Sequence, residues 1–156
     1  MITTYDLMAA HPFLTGLPLR HIERLSRYAS RAPFHANTRI FQEHGTARGW
    51  WLIRDGFVNL DLRVPGRGDV IVETLGPGAV LGWSWLFPPY RWAFGAVAAS
   101  PVEAFEFDGR MVRACCESDP ALGYELTRRL ARVVAKRLQA TRVRLITTSS
   151  QPAGAR

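Results

Sequence analysis

The stretch that decides the fold reads Phe57-Val58-Asn59-Leu60-Asp61-Leu62-Arg63-Val64-Pro65-Gly66-Arg67-Gly68-Asp69-Val70-Ile71-Val72. Val58, Leu60 and Leu62 alternate with Asn59, Asp61 and Arg63. A period of two puts the apolar set on one face of a strand and the polar set on the other, so the sheet has one wet side. Pro65-Gly66-Arg67-Gly68 supplies the turn, because glycine tolerates positive φ, and Val70 to Leu75 is the returning strand. A hairpin tip is also the reading of Arg67-Gly68-Asp69, which spells an adhesion tripeptide. Further out, Ile40-Phe41, Trp50 to Ile53, Trp92 to Ala98 and Val102 to Phe107 are short apolar runs separated by turns such as Asp55-Gly56. Short strands joined by turns, with no helices between them, predict an antiparallel barrel or jelly roll rather than a βαβ fold.

Ten of the 13 glycines lie between Gly45 and Gly109, whereas Ala121 to Gln151 holds only Gly123 and no proline, so a turn-rich centre gives way to a helical end. Tyr5 to Ala10 predicts a short helix stopped by Pro12. Pro18 opens a second over Leu19 to about Ala29, with Leu19, Ile22, Leu25 and Ala29 at helical spacing. Asp108 caps a helix carrying Met111, Val112 and Cys115, and Asp119-Pro120 starts a long one running to about Thr147. In it Leu122, Leu126, Leu130, Val134 and Leu138 recur every four residues, so the stripe drifts about 40° per step and one flat surface cannot cover it. Leu122 to Leu130 are expected on the sheet. Val134, Leu138, Thr141 and Leu145 are expected at a dimer interface with the same helix of a second subunit, while Arg128, Arg132 and Lys136 form a solvated face. The fold class is thus α+β, mainly β: an antiparallel β-roll or jelly roll with short N-terminal helices and a long C-terminal helix. One domain is expected over residues 1–148, with a flexible tail over 149–156.

The 156 residues suit a single domain, and 47% apolar with 21% charged residues is a globular composition. The longest uncharged stretch, Thr74 to Tyr90, is broken by Pro77, Pro88, Pro89, Gly76, Gly78 and Gly82, so no membrane span is expected. The N-terminus lacks the basic and apolar regions of a secretory signal, which makes cytoplasmic residence the expectation. Twenty basic residues against 13 acids give +7, and every cation but Lys136 is arginine. They are dispersed, with no basic block longer than Arg128-Arg129, which reads as a solvated surface rather than a nucleic-acid interface. Cys115 and Cys116 are adjacent, so they are read as small buried fillers and not as a loop-closing bridge or a zinc site.

Catalytic patterns fail on spacing. Gly82-Trp83-Ser84-Trp85-Leu86 begins like a nucleophile elbow but ends in Leu86 where the second glycine belongs. His11, His21, His35 and His44 contain no i, i+4 pair and read as surface or helix-end residues. Gly76-Pro77-Gly78-Ala79-Val80-Leu81-Gly82 misses the dinucleotide-binding spacing. No enzyme activity, metal or cofactor is expected. From Gly82 to Phe94, however, Trp83, Trp85, Phe87, Tyr90, Trp92 and Phe94 surround Pro88-Pro89 and one cation, Arg91. Such a stretch can be core packing. It can also hold a flat anion, with the guanidinium on a phosphate and rings on a base.

The layout and the motifs Ile40-Phe41-x-Glu43-x-Gly45, Trp51-Leu52-Ile53-x-x-Gly56-x-Val58, Leu75-x-Pro77-Gly78, Leu81-Gly82 and Leu138-Gln139-Ala140-Thr141 resemble the cyclic nucleotide-binding domain of the catabolite activator protein family, from Phe13-Leu14 through Leu145. The resemblance implies a phosphate-binding cassette that begins Gly-Glu, the Glu holding the ribose, and ends Arg-Ser/Thr-Ala, the Arg holding the cyclic phosphate. Here the cassette begins Gly82-Trp83 and ends Arg91-Trp92-Ala93, and an indole accepts no hydrogen bond from a ribose hydroxyl. Losing one charge-assisted contact costs about 1.5–3 kcal/mol. The expected site is Gly82, Trp83, Ser84, Trp85, Arg91, Trp92 and Ala93, taking a small anionic ligand, with cAMP a candidate. The chain ends shortly after Ile146, where transcription factors of the family continue into a helix-turn-helix, so no DNA binding is expected. Output is expected through a homodimer or a separate protein partner. The alternative is a degenerate domain whose aromatic-filled pocket serves a dimeric interaction module.

Overall fold

The computed structural model describes the backbone of residues 1–150 and the side chains of 1–148. Two short helices, α1 (Thr4–Ala9) and α2 (Leu19–Ser26), flank a single 3-10 turn at Pro12–Leu14. The strands follow as β1 (Ala29–Phe34), β2 (Arg39–Phe41), β3 (Gly49–Asp55), β4 (Val58–Val64), β5 (Gly68–Leu75), β6 (Val80–Leu81), β7 (Gly95–Ala98) and β8 (Val102–Asp108). Helices α3 (Gly109–Ser118) and α4 (Pro120–Ser150) complete the fold. One antiparallel sheet has the order β1-β8-β3-β6 and the other β2-β7-β4-β5. Only the β4–β5 connection stays within one sheet; the chain otherwise steps from sheet to sheet, which is how a jelly roll closes its core.

That core is filled by Trp50, Leu52, Ile53, Leu60, Leu81, Trp85, Phe105 and Phe107, all fully buried. Trp50 stacks between Phe107 (ring centroids 4.3 Å) and Trp85 (5.2 Å). Leu122, Leu126 and Leu130 of α4 are buried, and the element α4 chiefly meets is α3 rather than a strand of the sheet they were expected on. The two caps also form: Asp108 accepts from Met111 N–H at 3.0 Å, and Asp119 accepts from Leu122 N–H at 3.3 Å.

Four expectations need correction. The second helix stops at Ser26, with Leu19 exposed, because Ala29–Phe34 is extended and pairs with β8 from Ala29↔Phe107 to Phe34↔Val102. Pro33 is tolerated there because β1 is an edge strand. The strand expected over Trp92 to Ala98 begins only at Gly95, since Trp92 donates to Gly45 O and accepts from His44 N–H in the β2–β3 loop. Asp61 is buried, not on the wet face: the β4–β5 register shifts at Leu60/Asp61, and both carboxylate oxygens receive Arg39 at 3.0 and 2.7 Å. His11 and His21 are buried rather than superficial. The tail expected over 149–156 lies, from 151 onward, outside the described residues.

The cysteines are free, Cys115 buried and Cys116 half-buried. Burial pushes the Cys116 thiol up to about 11, which keeps it protonated and unreactive at neutral pH. No helix among the described residues is long and apolar enough to cross a membrane, and no cluster of potential metal ligands occurs among them.

Candidate functional site: the cassette between the sixth and seventh strands

Gly82 to Phe94 leaves β6 in the first sheet and returns to β7 in the second. Gly82 has φ +93°, a conformation that favours glycine, and a Cβ there would lie 2.9 Å from Trp92 Cζ3. The two ends of the cassette therefore touch, glycine against indole. Trp83 caps a 3-10 turn at Ser84–Leu86, half-buried against Phe87 (5.7 Å between centroids) and Phe94 (6.2 Å). Ser84 is 3% exposed and its Oγ has no hydrogen-bond partner. Trp85 is wholly enclosed and its indole N–H is likewise unpaired. The peptide between Pro88 and Pro89 is cis, and Tyr90 sits at φ +54°.

The returning half is held by the β2–β3 loop. Ala47 N–H donates to Tyr90 O at 2.7 Å, Thr46 and Arg91 form an antiparallel bridge, and Trp92 N–H reaches Gly45 O at 2.9 Å. Arg91 is exposed and its Nη1 donates to Thr46 Oγ1 at 3.1 Å. Trp92, 3% exposed, stacks on Phe41 at 3.8 Å and leans on Trp51 at 6.0 Å. It also borders a cleft of about 550 Å³ that runs past Tyr28, Arg48, Glu106 and Met111. Ala93 is exposed.

Of the seven residues picked from the sequence, Gly82 and Trp92 are in direct contact, Trp83 and Ser84 adjoin them in the chain, Trp85 belongs to the core, and Arg91 and Ala93 face outward. Gly82 to Phe94 contains no carboxylate, so the cassette has no side-chain acceptor of the acidic kind for a ribose hydroxyl. Two participants escaped sequence reading. Thr46 holds Arg91 from 45 residues away. Arg113 of α3 donates to Trp85 O and lies over the Tyr90 ring, 4.1 Å from its centroid, so it clamps both halves of the cassette to α3. Neither carries a local signal, because each pairing is made only by the fold.

From α3 the chain passes through Asp119 into α4. Asp119 accepts from Arg24 Nη1 at 3.1 Å, and Arg24 Nη2 donates to Ser118 Oγ at 2.9 Å, so α2 pins the joint. The N–H of Leu122, with His21 and Arg24 beside it, holds the Asp119 carboxyl below its ordinary value.

A two-sheet roll whose sixth and seventh strands are joined by such a cassette, and whose last strand feeds two helices, is the architecture of a cyclic-nucleotide-type regulatory domain. The chain belongs to the cyclic nucleotide-binding domain family, whose pattern it matches over residues 31–119. Among solved structures it is similar to a protein from Geobacter metallireducens GS-15 provisionally assigned as a cyclic nucleotide-binding protein: 28% identity, TM-score 0.77, covering 88% of this chain and 99% of that one. It is also similar to the catabolite activator protein of Thermus thermophilus (22%, TM-score 0.71, 88% and 63%). A third is the regulatory subunit of a cAMP-independent protein kinase A from Trypanosoma brucei (18%, TM-score 0.75, 92% and 50%). No curated protein matches.

Proposed function

We propose that the chain is a cytoplasmic regulatory sensor in which a small anionic ligand engages the cassette Gly82–Ala93 and α4 carries the response to a second copy or to a separate protein, with no catalytic step of its own. The observation that carries this reading is Arg113. Its single side chain ties Trp85 and Tyr90 to α3, and α3 meets α4 at Asp119–Pro120. A ligand that displaces the cassette therefore strains that clamp, and it shifts α4 only as far as it binds the two positions unequally.

The energetics favour an anion. Among the described residues the exposed Arg91 guanidinium is held by the neutral Thr46 Oγ1, whereas an anionic acceptor adds opposite charge and can take two of its N–H donors at once. A phosphate or carboxylate within reach wins that exchange. The missing ribose acceptor weakens the case for cAMP in particular, and a neighbouring fold belongs to a kinase subunit described as cAMP-independent.

Calorimetry with cAMP, cGMP and the linear nucleotides, on wild type and Arg91→Ala, tests the reading. Heat with at least one nucleotide, lost in the variant, is expected. A specific observation favours a second reading, a domain that serves as an interaction module: Trp92 lies flat on Phe41 at 3.8 Å, in van der Waals contact, with its edge against Gly82. Under that reading no nucleotide gives heat, while the protein still dimerises.

A further inference from the structure

A cavity of about 370 Å³ lies between α4 and the turn from β5 to β6, and no residue of the cassette lines it. One wall is apolar, made of Pro12, Phe13, Leu75, Val80 and Val133. The other carries Arg129, Arg132, Lys136 and Arg137, and no acid lines it. A cleft lined by one sign of charge between low-dielectric walls concentrates ions of the other sign.

The arginines here are short of acceptors. Arg137 donates through Nη2 to Val80 O, but its buried Nη1 has no partner, and burial pushes the guanidinium below its ordinary value. Arg129 donates through Nη1 to Phe13 O and Thr15 O, both at 2.9 Å, while its buried Nε has no hydrogen bond; the nearest carboxylate, Glu125, stands 3.9 Å away. An unsatisfied buried donor destabilises the fold, more so when charged. Both residues line the cavity beside Arg132 and Lys136 with no acid on its wall, so an anion entering it meets four cations.

We infer that this cavity is a second ligand site, for a small organic acid: one anionic head on the Arg129–Arg137 wall and an apolar body against Phe13, Leu75, Val80 and Val133. Charge alone would suit inorganic phosphate and an apolar wall alone would suit a neutral alcohol; the two walls together select an amphiphilic anion. At 100° per residue, Arg132 and Lys136 point away from the Val134–Leu138–Thr141–Leu145 stripe, so occupancy leaves that stripe free. A bound acid bridges α4 to the β5–β6 turn and gives the long helix an input separate from the cassette.

The test uses the full chain and the fluorescence of anilinonaphthalene sulfonate, displaced by decanoate, decanol or inorganic phosphate. Saturable dye binding displaced by decanoate, with decanol and phosphate needing far higher concentrations, is expected. Arg132→Gln with Lys136→Gln, both at exposed positions, should weaken decanoate about fivefold to tenfold, as two solvent-screened ion pairs do. Arg67→Gln at the β4–β5 turn, which removes a distant charge, should leave the affinity unchanged. Arg137→Met should weaken it further; if that variant does not fold, the exposed double variant decides the matter. Displacement by decanol or phosphate as readily as by decanoate, displacement by short duplex DNA with steep salt dependence, or an unaltered double variant would each overturn the assignment.

Discussion

The ring of His11 is held from both sides: Phe13 N–H donates to Nδ1 at 3.2 Å, and Nε2 lies 2.9 Å from Ile53 O. The first contact needs a bare Nδ1 and the second a protonated Nε2, which together specify the neutral ring. Burial is the main force pushing the imidazolium form out, with Arg54 adding to it and the Ile53 carbonyl opposing, so the folded value lies below the ordinary 6.5. With the folded value depressed, the unfolded chain binds the extra proton first. His11 therefore contributes stability that is present above pH 6.5 and is lost as pH falls through the window beneath it. Urea titrations should show the midpoint falling as pH drops below about 6.5. His11→Gln keeps a donor for Ile53 but orphans Phe13 N–H, so it should lower stability by roughly 1–3 kcal/mol and flatten the fall over that window. A variant that retains the full pH dependence would assign the titration to another group. The same economy governs Asp61, whose acidity suggested solvent but whose bidentate pairing with Arg39 lets it go inside.

Among elements, those whose stability comes from a periodic apolar face were legible, and those held by distant partners were not. The alternation that opens β4 and the four-residue repeat from Leu122 to Leu130 placed β4 and the buried part of α4, because Val58, Leu60, Leu122, Leu126 and Leu130 are buried; past the shift at Leu60/Asp61 the alternation fails and Leu62 is only half-buried. Strand β1 has only Ala32 buried, and its cohesion comes from the ladder to β8, so Ala29–Phe34 carries no pattern to read. The cassette was marked by composition, as an unusual density of rings, but composition does not say that Trp92 lies on Phe41 or that Arg113 ties the segment to α3. The clamp makes a prediction at this scale. Arg113→Ala removes one charge-assisted hydrogen bond and one cation–π contact, about 2–4 kcal/mol in sum for a part-buried group. Because those contacts connect elements rather than fill the core, the loss should be local. Amide exchange should accelerate across Trp83–Trp92 and at the start of α3, while the β3–β8 ladder keeps its protection. Uniform acceleration over both sheets would show instead that Arg113 supports the whole roll.

For the whole molecule the open question is what covers the far end of α4. Leu138 is 58% and Leu145 65% exposed, too apolar a pair to leave in water without reason, and the spacing of Val134, Leu138, Thr141 and Leu145 is four, three, four. That is a heptad seam, and Thr141 fits it because its hydroxyl is already spent on Arg137 O at 2.9 Å. The seam spans only about two heptads, so the dimer proposed here, with a second copy on that seam, should be of micromolar rather than nanomolar strength. Charge opposes it. Pro120–Ser150 holds seven cations, Arg128, Arg129, Arg132, Lys136, Arg137, Arg142 and Arg144, against one acid, Glu125. Two such helices side by side repel, and added salt screens the repulsion. Sedimentation at increasing salt should therefore show the dimer tightening from low ionic strength to about 0.15 M, the reverse of a nucleic-acid complex, which loosens as counterions return. Leu138→Asp places a carboxylate against its symmetry mate in an apolar seam and should weaken association at least about a hundredfold, near 2.7 kcal/mol. Leu19→Asp, equally exposed but on α2, should leave it unchanged. A wild-type monomer at about 100 μM, where a micromolar complex would be mostly paired, would mean that the seam meets something other than its own copy.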